Sequence, residues 1–407
     1  MGRADARSDP CLRARGTDRV ETEPQEESCL VQEITFAEPL RAGVVGLGYA
    51  GEQHLKNFVR VPGVEAVALA GLERDHLREL GGRYGVQDMY TSWEDLVARD
   101  DLDIVSIGAP NHLHAPIAVT ALEGGRHVLC EKPLARNGAE AQRIVDAARK
   151  ADRAVHIAFT QRERGDVQAL KRHVEEGNLG RIYHAKATWM RRNGIPGMGG
   201  WFTSKELAGG GPLIDLGVHM VDMALYLMGD PEVESVSCAT YAELGPRGRG
   251  GWQGKGPTTG DKPYEVEDLA TAFIRLSGGA TLNLEAGWAV YRESSDDFGV
   301  TLYGTDGGAE MKVRNYGTSD TVRIYTDVAG VPAVVTPEIE PREGHLAVVR
   351  RFVETIREGT WEGQYGEDGL DRARIIDACY ASALENREVS MKEITRERHQ
   401  ASAGPGT

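Results

Sequence analysis

The stretch LRAGVVGLGYAG, residues 40–51, decides the fold of this chain. Its first half is apolar and suited to a buried strand, and its second half sets Gly46, Gly48 and Gly51 in G-x-G-x-x-G spacing. The following residues, EQHLKNFVRV (52–61), carry apolar positions at helical spacing, so the glycines fall at a strand-to-helix turn. The hexapeptide alone is a weak signal, but that context gives each glycine a task. Gly46 permits the tight turn, Gly48 lets a ligand approach the backbone, and Gly51 lets helix and strand pack closely. The helix N-terminus then presents free N–H groups and a positive dipole to an anion, with Leu47, Tyr49 and Ala50 completing the loop. The stretch reads as a dinucleotide-binding turn.

Working outward, strand and helix alternate. The strands VEAVALAGL (64–72), DIVSIGAP (103–110), HVLCEKP (127–133) and AVHIAFT (154–160) are separated by the helical DHLRELGGRYG (75–85), HAPIAVTALEGG (114–125) and GAEAQRIVDAARKA (138–151). Near-continuous apolar strands alternating with helices predict a parallel sheet covered on both faces. The rhythm changes after about residue 160. A helix near 167–176 and the strand RIYHAKATWM (181–190) lead through a glycine-rich stretch to the helix LIDLGVHMVDMALYLMG (213–229). Beyond it, LATAFIRL and ATLNLEAGWAV, joined by Ser277-Gly278-Gly279, read as an antiparallel hairpin. Residues 243–263 read as an exposed loop, and amphipathic helices at 344–358 and 367–385 follow. The expectation is an α/β chain with a Rossmann domain over 39–160 and an α+β domain with an open, mainly antiparallel sheet over 161–395. Residues 1–38 read as a disordered tail or an over-extended start, and 396–407 as a second tail.

A length of 407 residues suits two domains, each with its own core. The formal net charge of −15 argues against nucleic acid, because so acidic a chain repels phosphates. The five cysteines form no CxxC pair, so no disulfide framework or zinc site is expected, and a reducing, cytoplasmic compartment fits. No apolar run approaches the roughly 18–20 residues that span a bilayer, and the arginines near the start precede no apolar core, so neither membrane nor secretory signal is expected.

About 20 residues beyond the glycine turn an acid normally meets the adenosine ribose, but that position holds Gly71. Glu73 would accept from the ribose hydroxyls and favour NAD, whereas Arg74 would pair with a 2′-phosphate and favour NADP; the reading takes NAD and leaves NADP open. Glu131-Lys132-Pro133 leaves a buried strand at the carboxyl edge of the sheet, where ligands bind in open α/β folds. Lys132 there needs a task or a carboxylate partner. In Asp215-Leu216-Gly217-Val218-His219, the spacing of four puts carboxylate and imidazole on one helix face. Such a carboxylate can orient the ring of a general base, although the same spacing also serves surface and capping pairs. No further His/Cys cluster completes a metal site around them. His112 and His114, at the end of another strand, read as lining the cofactor cleft.

Together these stretches resemble the glucose–fructose oxidoreductase/inositol dehydrogenase (Gfo/Idh/MocA) family over about residues 40–390. GVVGLGYAG, APNHLHAPIAVTALEGGRHVLCEKPLA, GGGPLIDLGVHMVDMALYLMG and LYGTDGGAEM carry the likeness, and EKP with the downstream D-x-x-x-H is its most specific part. The resemblance implies a second domain whose open sheet makes homodimers or homotetramers. It implies that Lys132 bonds the reacting hydroxyl and helps hold the nicotinamide, that Asp215 binds substrate, and that His219 is the base. Ala109, Pro110, Asn111 and His114 would run beside the nicotinamide ribose, with Glu131 and Lys132 at the cofactor. WMRRNGIPGMGGWFT (189–203) is similar to a subgroup acting on ring hydroxyls of glycosides, which would place Arg191, Arg192 and Trp201 near substrate or cofactor; by themselves these residues also read as a surface loop. The expected activity is hydride transfer between a secondary ring alcohol of a sugar, cyclitol or glycoside and the nicotinamide. The acidic charge leaves room for an aminosugar or aminoglycoside intermediate. A lyase or glycosidase with internally recycled NAD, or a non-catalytic sugar sensor, are the alternatives.

Overall fold

The computed structural model describes residues 38–252 and 263–394. The expectations for the two tails and for residues 253–262 of the 243–263 loop lie outside the described residues. From residue 40 the chain reads β1 (Leu40–Val45), α1 (Tyr49–Phe58), β2 (Val64–Ala70), α2 (Arg74–Tyr84), β3 (Asp88–Tyr90), α3 (Trp93–Val97), β4 (Ile104–Ile107), α4 (His114–Glu123), β5 (His127–Cys130), α5 (Gly138–Ala151) and β6 (Val155–Ile157). These strands form one six-stranded sheet in the order β3-β2-β1-β4-β5-β6, with every pairing parallel. That is the doubly wound order of a Rossmann domain. β4 (IVSI) and β5 (HVLC) are buried at every position, as central strands with both faces covered must be. The order also sets the ends of β1, β4 and β5 side by side, so the glycine turn, the 108–113 loop and the 131–135 loop share one carboxyl edge.

The chain continues through α6 (Gly165–Glu175), β7 (Ile182–Arg191), α7 (Lys205–Ala208), α8 (Val218–Met228), β8 (Val233–Tyr241), β9 (Leu269–Leu276), β10 (Thr281–Gly287), β11 (Asp296–Gly304), β12 (Gly308–Arg314), β13 (Val322–Val328), β14 (Val331–Val335), α9 (Gly344–Glu358), α10 (Glu367–Glu385) and β15 (Val389–Ser390). Its nine-stranded sheet has the order β14-β13-β12-β11-β7-β10-β9-β8-β15, antiparallel throughout except where β10 runs parallel to β7. The predicted hairpin is β9–β10, turning on Gly278 and Gly279 at positive φ. One sheet face is apolar (Ala185, Ala187, Leu282, Leu284, Val300 and Leu302 are buried) and packs on α8, while the alternate residues face outward.

Two features depart from the linear reading. The helical span Lys205–Met228 has a mean hydropathy of 1.2, long and apolar enough by composition to cross a membrane, which the sequence reading did not anticipate. It is 83% buried, because α8 is enclosed between the second sheet, α6 and α10 and needs apolar side chains all round. α9, far along the chain, returns to the first sheet. Its stripe Val348, Val349, Phe352, Val353 and Ile356 joins a core with Phe58, Leu55 and Ala158. Each such side chain contributes roughly 1.5–3 kcal/mol when fully buried. Arg60 with Glu343, and Arg357 with the Gly63 carbonyl, anchor α9 at its two ends.

Candidate active site

The glycine turn is built as its spacing requires. Gly46 has φ +83° and donates its N–H to the Ala70 carbonyl at 2.9 Å. A Cβ on Gly51 would lie 1.7 Å from the Gly46 oxygen, and one on Gly108 would lie 2.6 Å from the Gly51 nitrogen, so three backbones meet where no side chain fits. A Cβ on Gly48, in contrast, would meet nothing within 4 Å. Gly48 caps α1 with no side-chain hydrogen bond, so the first-turn N–H groups face this open space. A helix N-terminus beneath a glycine with room above it fits a pyrophosphate. Leu47 is buried, Tyr49 is exposed, and the Leu47 carbonyl meets His76 Nε2 at 2.9 Å. At Gly71 a Cβ would press within 3.1 Å of Leu47, whereas Glu73 and Arg74 stand exposed at the start of α2.

Beside the turn, the 108–113 and 131–135 loops are tied together by His114. Its ring nitrogens each lie 2.8 Å from a carbonyl, of Ala109 and of Pro133, and the residue is 1% exposed. His114 therefore clamps the loops of the cleft rather than presenting a face to a ligand. Asn111 bonds the Ala208 carbonyl at 2.8 Å and joins the first domain to α7. Pro110 precedes this turn, and Ala109 is buried against Gly46. Burial works to raise the Glu131 pKa, but the His54 contact at 3.2 Å and the charges of Lys132 and His345 outweigh it and hold the carboxyl near about 2.

The Lys132 ammonium donates to Asp215 Oδ1 at 2.8 Å and to the Asp215 carbonyl at 3.1 Å. The other Asp215 oxygen accepts from the Trp288 indole at 2.9 Å. Burial works to raise the Asp215 pKa, but Lys132, Arg191 and these hydrogen bonds hold it at about 2, so the carboxylate stays charged. His219 lies in the same cluster, its ring 5.6 Å from that of Trp189, with Nδ1 buried and unpartnered. Burial, together with the Lys132 charge, pushes its pKa down to about 3, so the imidazole is neutral.

The hydrogen bond expected between Asp215 and His219 is not formed. Residues Leu213–Gly217 make a π-helical turn before α8, which breaks the regular stacking of residues four apart, and both Asp215 oxygens are engaged elsewhere. Arg191 is buried between the Trp189 and Trp252 rings, with Nε on Asp296 at 2.8 Å and Nη2 on the Tyr316 hydroxyl at 3.1 Å. Arg192 is exposed in the bend that follows the last residue of β7, so the structure does not bring Arg192 to the cluster. Trp201 stacks on Phe202, whose ring meets Trp288 edge-on. His112 is half-buried beyond this group. Trp288, Trp189 and Glu267 escaped the sequence reading. Trp189 opens the quoted stretch 189–203 and Trp288 is the sole tryptophan of the β9–β10 hairpin run, whereas Glu267 left no signal.

A Rossmann sheet with this glycine turn, and a lysine–aspartate–histidine cluster at its carboxyl edge, define a nicotinamide-dependent oxidoreductase. Residues 40–159 match the oxidoreductase family's NAD-binding Rossmann fold, and residues 167–310 match the Gfo/Idh/MocA C-terminal domain. The chain belongs to the Gfo/Idh/MocA family, and its first domain is an NAD-binding domain. The D-glucoside 3-dehydrogenase of Escherichia coli (strain K12) is 32% identical over 356 residues, covering 87% of this chain and 98% of that one. Levoglucosan dehydrogenase of Pseudarthrobacter phenanthrenivorans (strain DSM 18606 / JCM 16027 / LMG 23796 / Sphe3) is 28% identical over 390 residues, 88% of this chain and 99% of its own. A solved levoglucosan dehydrogenase in complex with NADH and levoglucosan aligns with a TM-score of 0.74 at 26% identity, covering 87% of this chain and 100% of that one.

Proposed function

We propose that this chain is a glycoside dehydrogenase that oxidises a secondary ring hydroxyl, at C3 of a glucose-type ring, with NAD as acceptor. One observation carries the reading: a neutral imidazole, His219, lies beside an ammonium, Lys132, whose position is fixed by a charged carboxylate. When bound, NAD supplies the hydride acceptor. Gly46, Leu47, Gly48, Tyr49, Ala50 and Gly51 would hold its pyrophosphate, Glu73 and Arg74 would flank its adenosine ribose, and Ala109, Pro110, Asn111, Glu131 and Trp201 would line its nicotinamide end. Lys132 has three N–H donors and gives two to Asp215, which leaves one for the reacting oxygen. His219 takes the hydroxyl proton as the hydride departs, and the third Lys132 N–H stabilises the alkoxide charge that develops on the oxygen until the carbonyl forms. Asp215 and the cation at Arg191 set the charge of the pocket wall. The relatives named for a glucoside and for an anhydro sugar support the ring substrate.

The same reading extends to the assembly and the compartment. The outward face of the second sheet, with Lys186, Thr188, Phe273, Asn283 and Glu285 around a groove of about 640 Å³, suits a homodimer or homotetramer. Cys130, Cys238 and Cys379 are free thiols, consistent with the cytoplasm.

The test is the formation of reduced cofactor on methyl β-D-glucopyranoside, levoglucosan, myo-inositol and glucosamine, each with NAD or NADP. Stoichiometric NADH with a glucoside or levoglucosan is expected. Substrate loss without net NADH, or turnover only of myo-inositol, would replace this reading. A cleaner test of the cofactor site is Gly48→Val. Its φ of −68° and ψ of −170° are extended backbone that other residues adopt, and a Cβ there meets nothing within 4 Å, so the variant is expected to fold. The new side chain fills the open cradle, and NADH affinity by fluorescence titration should fall at least about tenfold, the loss of roughly one good charge-assisted contact.

A further inference from the structure

Glu267 stands two residues before β9, buried, and its carboxylate is fully engaged. Oε2 accepts from the Gly211 N–H at 3.0 Å, and Oε1 accepts from the Leu213 N–H at 3.0 Å and from the Tyr380 hydroxyl at 2.9 Å. The glycines opposite are shaped to it: a Cβ on Gly210 would lie 1.9 Å from the Tyr380 oxygen, and one on Gly211 would lie 2.1 Å from the Glu267 carbonyl. The Gly211 carbonyl in turn accepts from the Asp215 N–H at 3.1 Å. One residue along, the Asp268 carbonyl accepts from the Trp288 N–H at 2.9 Å, and the Trp288 indole donates to the Asp215 carboxylate at 2.9 Å.

We infer that Glu267 is a positioning residue for the reaction, setting the place of Asp215 and, through it, of the Lys132 ammonium. The inference rests on the functional reading above. The physical need comes from the π turn at Leu213–Gly217. Such a turn is rare and locally unfavourable, and the N–H groups entering it lack helical carbonyls. A buried carboxylate that accepts two of them pins the turn in one arrangement. The same segment places Trp288 through Asp268, so Asp215 is held by its main chain and by its carboxylate from adjacent residues. Glutamine at 267 keeps one acceptor oxygen but turns an NH₂ toward an N–H donor, so it fits the shape and loses the hold.

The experiment is a double-mutant cycle on Glu267→Gln and Asp215→Asn, read as kcat with NAD on methyl β-D-glucopyranoside and levoglucosan, together with NADH affinity by fluorescence. Glu267→Gln alone should lower kcat about 10–100-fold with KM for NAD and NADH affinity unchanged. In the Asp215→Asn background the same change should lower kcat less than about twofold further, because the group it positions is already lost. If the two losses multiply in full, Glu267 does not act through Asp215 and the inference fails while the functional reading stands. If Asp215→Asn keeps full kcat, or the parent enzyme turns over neither probe, the reading itself fails and takes the inference with it. Should Glu267→Gln not fold, Tyr380→Phe removes one of the three donors and enters the same cycle, with an expected loss of about threefold alone and none in the Asp215→Asn background.

Discussion

Replacing Lys132 by methionine should lower kcat by about 10³-fold while NADH still binds. Removing one donor aimed at developing oxyanion charge typically costs about 10²–10³ in rate, and Lys132 also holds Asp215, so the effect belongs at the upper end. The variant should be less stable too. The two side chains are only 17% and 15% exposed, and the change leaves the Asp215 carboxylate with the Trp288 indole and the charge of Arg191 but no directly bonded countercharge. Breaking one partner of a buried pair costs about 3–5 kcal/mol, and the surviving hydrogen bond places this case near the lower figure. Thermal unfolding checks the stability, and single-turnover kinetics with pre-bound NAD checks the rate. The double variant Lys132→Met/Asp215→Asn should regain stability without regaining rate, because it removes the stranded charge and not the missing donor. A methionine variant with kcat within tenfold of the parent would remove Lys132 from the chemistry.

His219→Ala should lower kcat by about 10²–10⁴-fold, the range for loss of a positioned general base. Its pH behaviour separates it from the bystander histidines. Burial and the neighbouring ammonium push its pKa down to about 3, so the ring is neutral and competent from neutral pH down to about pH 5. The acid limb of kcat/KM should therefore lie below about pH 5, not near the ordinary histidine value of about 6.5. Stability carries the same sign. The unfolded chain protonates this histidine near its ordinary pKa while the folded chain does not, so the folded state is disfavoured as pH falls from about 6.5 toward about 3. Unfolding temperature measured from pH 7 to pH 5 should fall for the parent and fall less for His219→Ala. Some slope will remain, because burial also pushes His114 and His156 down and takes His127 to about 4. An acid limb centred at pH 6.5 in the parent and absent from the variant would show that His219 is not held neutral by burial.

The parts of this molecule readable from the chain are those whose causes are local. The strand, turn and helix of residues 40–58 depend on neighbours within a few positions, and the positive φ of Gly46 could be read from spacing alone. α9 and α10 lie where the amphipathic pattern placed two helices, and the SGG turn forms the hairpin because glycine adopts positive φ without strain. Lys132 at a strand end and Asp215 near His219 were visible as candidates for the same reason.

What the chain determined by itself, then, was which segments form strands and helices, the dinucleotide turn, and the residue types available for chemistry. Tertiary structure alone decided which of those residues meet. Asp215 was expected to face His219 and instead joins Lys132 and Trp288, residues separated from it by 83 and 73 positions. The π turn that redirects it has no periodic signature, because it depends on acceptors such as Glu267 that lie over 50 residues away. Arg191 and Arg192, identical in type and adjacent, part company because Arg191 ends β7 on its buried face while Arg192 lies in the exposed bend beyond the strand. The destination of α9 was hidden for a related reason. An apolar stripe demands burial, but it does not name its partner, and only the packed chain supplies one.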